Sequence, residues 1–235
     1  MTCRVFYVAP EIFVAFPGMR LVVATVERLD NTVVRPSVER AWIAAWESVG
    51  KDGLYDAREH PFVKAWRNDF ATQGVSMKRF PTSVEALMRR ALKGGVPFSI
   101  NPLVDFYNSI TLSFSCPAGA FDIDMISERI ELRRTGVGDC FQSLDSSEIA
   151  AVPPNEIAYA SGTQVLTRHF MWRQSKFALV TPQTQTVFLV AEVPSVAGKE
   201  MAHGIETAFA DGLHEHFGCT TKTFILDEKS TEIDW

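Results

Sequence analysis

Two polar residues, Asp105 and Asn108, stand in residues 102–114, a segment that would be apolar on nearly every side of a helix. They lie three positions apart and therefore share one face of the helix that the segment predicts. A helix with so little polar surface is expected to be buried, and a polar group there costs free energy unless it is hydrogen-bonded. A carboxyl and an amide in such a place can position a water molecule or take part in proton transfer.

A second group with chemical potential lies in residues 168–175, which include His169, Trp172 and Arg173. An indole beside a guanidinium could stack on a base or an aromatic amino acid and hold a carboxylate or a phosphate. The structural alternative is that Arg173 pairs with Asp105 or Asp122.

Several other chemistries find no support in the sequence. His214 and His216 are two apart on a predicted helix and point in different directions, and neither they nor His203 belong to an H-E-x-x-H motif. There is no glycine-rich phosphate loop and no G-x-S-x-G motif. The four cysteines, at positions 3, 116, 140 and 219, show no metal-binding spacing and are expected to be reduced and mostly buried. We therefore expect no metal and no cofactor.

The net charge of the 235 residues is −5, whereas proteins that grip nucleic acid by its phosphates usually carry a basic surface. This charge counts against tight nonspecific RNA binding but permits a local basic strip. The candidates are Lys78, Arg79, Arg89, Arg90 and Lys93, with Arg168, Arg173 and Lys176 as a second group. The alternative is that these are solvated charges on amphipathic elements.

With 46% hydrophobic and 22% charged residues, the composition is typical of globular proteins. No apolar run reaches the roughly 18 residues of a bilayer-spanning helix. The first 18 residues also lack the basic start and cleavage site of a secretory leader. We expect a cytoplasmic protein with no membrane partner, and the sequence leaves its oligomeric state open.

Hydrophobic periodicity and turn residues predict the elements that position these groups. Helices are predicted for residues 36–49, 61–70, 83–93, 102–114 and 201–217, with Thr82 or Ser83 and Asn101 at helix starts. Strands are predicted for residues 12–14, 20–26, 130–132, 140–141, 157–160, 164–166, 178–180, 187–193 and 221–226. Residues 117–122 are interpreted as a turn.

These elements predict an α+β fold in which a helical N-terminal half packs on a mainly antiparallel sheet. No linker marks a boundary, so we expect a single domain over residues 1–235. Within it we distinguish N-terminal strands and helices (1–73), a core (74–194) and a C-terminal helix and strand (195–235).

Residues 74–124 carry a particular order of signals: a capped helix, the Gly94-Gly95 break, an Ile-Asn-Pro helix start and the run Pro-Ala-Gly-Ala-Phe-Asp. This order resembles the aminoacyl-tRNA editing module in the beta subunit of bacterial phenylalanyl-tRNA synthetase, and its free-standing relatives. Residues 104–110 match the family motif V-D-x-T-N-Y-V, and residues 115–122 match G-Q-P-x-H-A-F-D. The retained residues are Asp105, Asn108, Pro117, Ala120, Phe121 and Asp122. The resemblance covers residues 74–194 and implies the fold of that module.

The chain departs from the family at several pocket positions. Tyr107 stands at the family's pocket Thr, and Gly119 stands at its pocket His. Val190 falls at the position of a strand Glu, while Glu192 lies two residues later and, by alternation, on the same face. Glu192 could therefore enter the cavity at a different height, or it could be an exposed carboxylate at the strand end. Trp172 and Arg173 replace the glycines of an A-G-x-M-G-G stretch and must reshape the pocket.

The resemblance implies binding of tRNA or aminoacyl-tRNA and, as a candidate activity, hydrolysis of a mischarged aminoacyl ester. Hydrolysis needs a placed water, stabilisation of the oxyanion and a general base. The candidates for these roles are Asn108, Glu192, Asp105 and His169, with backbone amides around Gly119 to Phe121. The candidate substrate-binding residues are Asp105, Tyr107, Gly119, Phe121, Trp172 and Arg173, and the candidate tRNA contacts are Lys78, Arg79, Arg89, Arg90 and Lys93.

Two other functions stay open. The cavity could hold a free amino acid or a related metabolite without tRNA, which the acidic net charge favours, or the module could be purely structural. A basic strip continuous with the cavity would support tRNA binding, and an enclosed neutral pocket would support a small metabolite.

Overall fold

The computed structural model describes residues 4–235, with six α-helices and twelve strands in that range. The helices are α1 (Pro10–Ala15), α2 (Pro36–Ser48), α3 (Pro61–Thr72), α4 (Ser83–Leu92), α5 (Pro102–Phe114) and α6 (Gly198–Phe217). The strands are β1 (Val5–Val8), β2 (Arg20–Val26), β3 (Ala118–Asp122), β4 (Ile130–Arg134), β5 (Cys140–Gln142), β6 (Ile149–Ala151), β7 (Ile157–Ser161), β8 (Gln164–Arg168), β9 (Arg173–Gln174), β10 (Val187–Val193), β11 (Thr221–Leu226) and β12 (Glu232–Asp234). The predicted α+β class is confirmed.

The strands form two sheets. The smaller sheet is antiparallel, in the order β11-β2-β10-β3, and β10 pairs along its whole length with β2. The larger sheet has the order β12-β1-β4-β7-β8-β5-β6, with β9 added beside β8. Most of its pairs are antiparallel, but β1 runs parallel to β4 and β5 runs parallel to β8. The N-terminal β1 and β2 therefore supply one strand to each sheet.

Three layers result: helices α5 and α6, the four-stranded sheet, and the eight-stranded sheet. Alternation along β10 decides which layer each side chain meets. Leu189 and Ala191 pack against the helices, whereas Phe188 and Val190 pack toward the larger sheet. Because both faces of β10 are buried, its sequence is a nearly continuous apolar run.

The start of α5 is fixed by a pair of buried asparagines. The Asn101 side chain caps the helix by accepting from the Val104 N–H at 3.0 Å, and the helix begins where Asn101-Pro102 predicted its start. The Asn31 amide donates to Asn101 Oδ1 at 3.0 Å and to the Thr181 carbonyl at 2.8 Å. Its oxygen accepts from the Leu103 N–H at 2.9 Å. These bonds tie α5 to two distant loops.

Helices α2, α3 and α4 surround a separate apolar cluster that packs on α5. Trp42 and Trp46 meet edge to face, with ring centroids 5.3 Å apart. Their indole N–H groups donate to the carbonyls of Phe98 and Gly95. The pair therefore also positions the segment that follows α4.

Three local predictions are wrong. Residues 12–14 lie in α1, because Pro10 starts a helix two positions earlier. Residues 178–180 form no strand, and Ala178 has a positive φ of 55°. Residues 118–122, interpreted as part of a turn, form the edge strand β3 that pairs with β10. Strands β1, β6, β9 and β12 were not predicted; all four have four residues or fewer, and all but β1 lie at a sheet edge.

The expected burial of the cysteines holds for Cys116 and Cys219, while Cys140 is only partly buried. Cys3 lies outside the described residues. None of the helices in residues 4–235 combines the length and the apolar character that crossing a bilayer requires.

Candidate functional site

A cavity of about 330 Å³, here called the central cavity, lies where α4 and α5 meet the two sheets. Its apolar wall includes Leu87, Phe98, Ile100, Val104, Phe121, Phe170, Met171, Trp172 and Val190. Its polar members include Asn108, Tyr159, Arg173, Gln174 and Glu192. The volume is at the lower end of the roughly 300–1,000 Å³ typical of small-molecule sites. It therefore suits a group of about the size of one amino acid.

Glu192 is a fully buried carboxyl on the cavity side of β10, the side that it shares with Val190. The Tyr159 hydroxyl of β7 donates to Glu192 Oε1 at 2.8 Å and so links the two sheets. Burial raises the pKa of Glu192 to about 8, so the carboxyl is mostly neutral at pH 7. In that form it offers one O–H donor while it still accepts from Tyr159. An exposed position at the strand end is thereby excluded.

Helix α5 contributes Tyr107 and Asn108 to the central cavity. Burial raises the pKa of the Tyr107 hydroxyl, which therefore stays a neutral phenol. The hydroxyls of Ser109 and Thr111 bond to carbonyls of the same helix. Within residues 4–235 no comparable bond engages the Asn108 amide. Its donor and acceptor are thus available to a ligand.

Strand β3 contributes Gly119 and Phe121 on the same face as Val190. A Cβ built on Gly119 meets no other atom within 4 Å, so the missing side chain enlarges the cavity. The register with β10 directs the amides of Gly119 and Phe121 into the ladder. The amide of Ala120 points outward instead, and the Gln174 side chain donates to the Ala120 carbonyl at 2.8 Å.

The connection from β8 to β9 carries Trp172 and Arg173 to the cavity wall. Glu156 holds this connection, because it accepts two hydrogen bonds from the Arg168 guanidinium and one from the His169 N–H. His169 and Phe170 both have positive φ values, 45° and 63°, in a backbone region that residues other than glycine rarely adopt. The buried carboxylate stabilises this unusual turn.

His169 itself does not line the central cavity. Its ring stacks on the Phe80 ring with centroids 3.8 Å apart, and it packs at a tilt against the Trp172 ring with centroids 5.6 Å apart. Burial lowers the pKa of His169, which keeps the imidazole neutral at pH 7. His169 is therefore not brought together with Asn108 and Glu192. Its ring instead contacts Trp172, which lines the cavity.

Arg173 pairs with neither of the two aspartates considered in the sequence. Its guanidinium donates to Asp145 Oδ2 at 2.8 Å, and both side chains are substantially exposed. Such an exposed pair is worth about 0–1 kcal/mol, so a ligand anion can compete for the guanidinium. Asp122 instead accepts from the Thr184 hydroxyl at 2.6 Å.

Asp105 also lies outside the central cavity. Its carboxylate accepts from the Ser99 hydroxyl and from the Ile100 N–H at 3.0 Å. Burial is the main cause of the raised pKa of Asp105. The residue clamps the segment before α5, and Ile100 of that segment is part of the cavity wall. Asp105 thus reaches the central cavity only through Ile100, and this geometry does not support its predicted contact with substrate.

The five basic residues proposed as tRNA contacts divide into two groups around α4. Lys78, Arg89 and Lys93 line a second groove of about 580 Å³, here called the α4 groove. The guanidinium of Arg79 lies 5.0 Å from the Phe80 ring centroid, and that of Arg90 lies 4.2 Å from the Phe98 centroid. Phe98 also lines the central cavity, whereas Arg90 itself lines neither the cavity nor the α4 groove.

Among residues 4–235 no three His, Cys, Asp or Glu side chains gather as a metal site would require. His203 lies 3.3 Å from Glu206 on the same helix, and His216 lies 3.0 Å from the Ser37 hydroxyl. The two histidines are engaged on different sides of α6.

Four residues that shape the site were missed in the sequence: Tyr159, Gln174, Phe98 and Glu156. Tyr159 and Gln174 stand in strands, where nothing local distinguishes a cavity residue from a core residue. Glu156 offered a weak signal, because a carboxylate directly before a buried apolar strand needs a partner.

Comparison with known proteins adds the family. The B3/4 domain family matches residues 65–213. A crystal structure of an N-terminal fragment of the phenylalanyl-tRNA synthetase beta subunit from Pyrococcus horikoshii is similar, with 13% identity and a TM-score of 0.47. That likeness covers 92% of this chain but 49% of the fragment, so the chain spans about half of the fragment's length. No curated protein matches the chain. Because the family match spans well over half of the sequence, the protein belongs to the B3/4 domain family, the domain found in the phenylalanyl-tRNA synthetase beta subunit.

Proposed function

We propose that the protein binds the aminoacylated end of a tRNA and takes the amino-acid side chain into the central cavity. The observation that carries this proposal is the position of α4. Its Ser83, Ala86 and Leu87 line the apolar cavity, while its Arg89, together with Lys93 directly after the helix, lines the basic groove on another side. One helix thus separates a pocket of amino-acid size from a cationic surface suited to phosphates.

Family membership supports the same function, since the domain occurs in an enzyme that handles charged tRNA. Arg90 of the same helix adds a cation that lies over the ring of Phe98, a residue of the cavity wall. A basic strip continuous with the cavity would favour tRNA binding over a free metabolite, and the helix that the groove and the cavity share supports such a connection. The acidic remainder of the surface then restricts RNA to this side of the molecule.

We further propose that the bound ester is hydrolysed. In that reaction a water adds to the ester carbonyl, the bond from the acyl carbon to the ribose oxygen breaks, and the ribose oxygen takes up a proton. Asn108 would orient the water or the carbonyl, and the neutral Glu192 carboxyl would donate a hydrogen bond to the bound group. The outward amide of Ala120 is a further donor at the same wall.

The test is a panel of charged, mischarged and uncharged tRNAs, measured for affinity and for loss of the acyl group. Charged tRNA should bind more tightly than uncharged tRNA for at least one amino acid. Gly119→Leu, which fills the cavity, should abolish that difference without weakening uncharged tRNA. Asn108→Ala should slow deacylation on the order of 10²-fold, the usual cost of losing one such polar group.

Two outcomes would contradict the proposal. Equal affinity for charged and uncharged tRNA across the panel would show that the aminoacyl group does not bind in the cavity. Tight binding of a free amino acid, blocked by Gly119→Leu and independent of tRNA, would instead assign the cavity to a small metabolite.

A further inference from the structure

The α4 groove is a built surface rather than a scatter of solvated charges. Its lining contains Arg58, Arg67, Lys78, Arg89 and Lys93 against two carboxylates, Asp56 and Glu85. Five cations facing two anions leave an excess of three positive charges. This excess stands in a chain whose net charge is −5. The groove therefore carries a net positive charge, whereas the chain as a whole is negatively charged.

A buried carboxylate organises the cations. Glu85 is only 1% exposed, and the Arg67 guanidinium donates to both of its oxygens at 2.9 Å. Arg89 lies one helical turn further, 4.0 Å from the same carboxylate. Glu85 therefore holds the Arg67 guanidinium in place and lies beside that of Arg89, and a fixed cation loses less entropy when it binds a phosphate.

The groove also contains two lysines whose charges are not neutralised by an ion pair within the described residues. Within residues 4–235 neither Lys78 nor Lys93 makes an ion pair, and both side chains are exposed. Arg58, in contrast, is bonded to Asp56 in a two-point contact. Lys78 and Lys93 are hence the cations with the most charge available to an incoming anion.

The groove also carries an aromatic ring that the fold does not use. Tyr55 is 93% exposed, although a tyrosine ring normally buries much of its surface in a fold. It stands next to Asp56, whose side chain caps the short turn at Ala57–Glu59. An exposed ring beside fixed cations is the combination by which proteins bind single-stranded nucleic acid, with the base on the ring and the phosphates in the groove.

We propose that the α4 groove binds a single-stranded RNA segment, with a base stacked on Tyr55 and phosphates at Lys78, Arg89 and Lys93. This proposal rests on the proposed function, and it specifies the unpaired end of the tRNA as the part that is held. A duplex offers no free base face to Tyr55, because its bases are stacked within the helix. Arg79 and Arg90, whose guanidinium groups lie on Phe80 and Phe98, are excluded from this groove.

The test uses a fluorescent single-stranded RNA of roughly ten nucleotides, a length within the usual site size, and a duplex of the same sequence. The single strand should bind more tightly than the duplex. Tyr55→Ala should weaken single-strand binding roughly 5- to 150-fold, the usual effect of removing one stacked base contact. Tyr55→Phe, which keeps the ring, should retain the wild-type affinity.

The phosphate contacts have a separate readout in the salt dependence. Each of Lys78→Ala and Lys93→Ala should reduce the slope of log affinity against log salt concentration by about 0.7, the value for one phosphate of a single strand. Lys199→Ala, an exposed lysine at the start of α6, is the matched control and should leave the slope unchanged.

Three results would overturn this inference: duplex binding as tight as single-strand binding, unchanged affinity in Tyr55→Ala, or full displacement of RNA by an equal concentration of inorganic pyrophosphate. The last result would define a small-anion site. Because the oligonucleotide carries no amino acid, its binding does not depend on the central cavity. Gly119→Leu should leave it intact, so failure of the groove and failure of the cavity are distinguishable.

Discussion

Gly119 leaves open space where any other residue would project a side chain into the central cavity. A Cβ there meets nothing within 4 Å, and its backbone is not in the left-handed region. No steric requirement therefore demands glycine at this position. Trp172 and Arg173 line the same cavity with large side chains.

Gly119→Ala should accordingly change the free energy of unfolding by no more than about 0.5 kcal/mol, the usual range for a substitution that disturbs no contact. The matched control is Gly212→Ala in α6, where the new Cβ would lie 2.4 Å from Phe106 Cε2. This overpacking should destabilise the protein by about 1–3 kcal/mol, although alanine is the better helix former. Urea unfolding measures both values. Equal effects of the two substitutions would contradict the described cavity.

At the scale of elements, α5 depends on contacts far away in sequence. Asn101 could be recognised as a cap because it precedes Pro102 and an apolar run. Asn31 could not, since its three partners, Asn101, Leu103 and Thr181, are assembled only by the fold. The same holds for Glu156, which fixes the connection between β8 and β9 from a preceding turn.

Asn31→Ala should destabilise the protein by about 1–3 kcal/mol or more, because the Leu103 N–H and the Thr181 carbonyl lose a buried partner. Since α5 carries Asn108, ligand affinity should fall as well. Thr32→Ala is the control: this exposed hydroxyl bonds only to the neighbouring Asp30, and its loss should have little effect. A loss in Asn31→Ala no larger than in Thr32→Ala would show that the network does not hold the helix.

At the scale of the molecule, the bond between Tyr159 and Glu192 joins the two sheets through a buried carboxyl. Because burial raises the pKa of Glu192 from 4.5 to about 8, the folded state prefers the protonated form. A raised pKa gives stability that is fully present below the pKa of the unfolded chain and is lost as pH rises through the folded value. The protein should therefore lose this contribution between about pH 4.5 and pH 8.

Glu192→Gln keeps the shape of the side chain and cannot ionise. Relative to this variant, the wild-type protein should lose stability as pH rises, with a slope approaching about 1.4 kcal/mol per pH unit, and the slope should vanish above the folded pKa. Urea unfolding between pH 5 and pH 9 provides the comparison, and the other ionisable groups cancel between the two proteins. Parallel stability curves would mean that Glu192 is ionised in the folded state.

Much of the fold could be predicted from particular residues. Pro36, Pro61 and Pro102 mark three helix starts, and each stands at the first position of its helix. The apolar run 187–193 identified the central strand β10 to the residue. Residues 12–14 and 118–122 were misread because short apolar segments fit a helix, a strand or a turn almost equally well. Seven of the predicted site residues line one cavity: Tyr107, Asn108, Gly119, Phe121, Trp172, Arg173 and Glu192. Their roles stay predictions.

The sequence by itself determined the α+β class, most helices, the family and the alternation that sends Glu192 to the face of Val190. These follow from periodicity and local motifs, which are properties of neighbouring residues. Only the tertiary structure decided that Glu192 is neutral and bonded to Tyr159, that Asp105 and His169 support the cavity from outside, and that α4 separates it from a basic groove. Burial, pKa and charge balance depend on groups brought together from distant parts of the chain, and no local pattern records them.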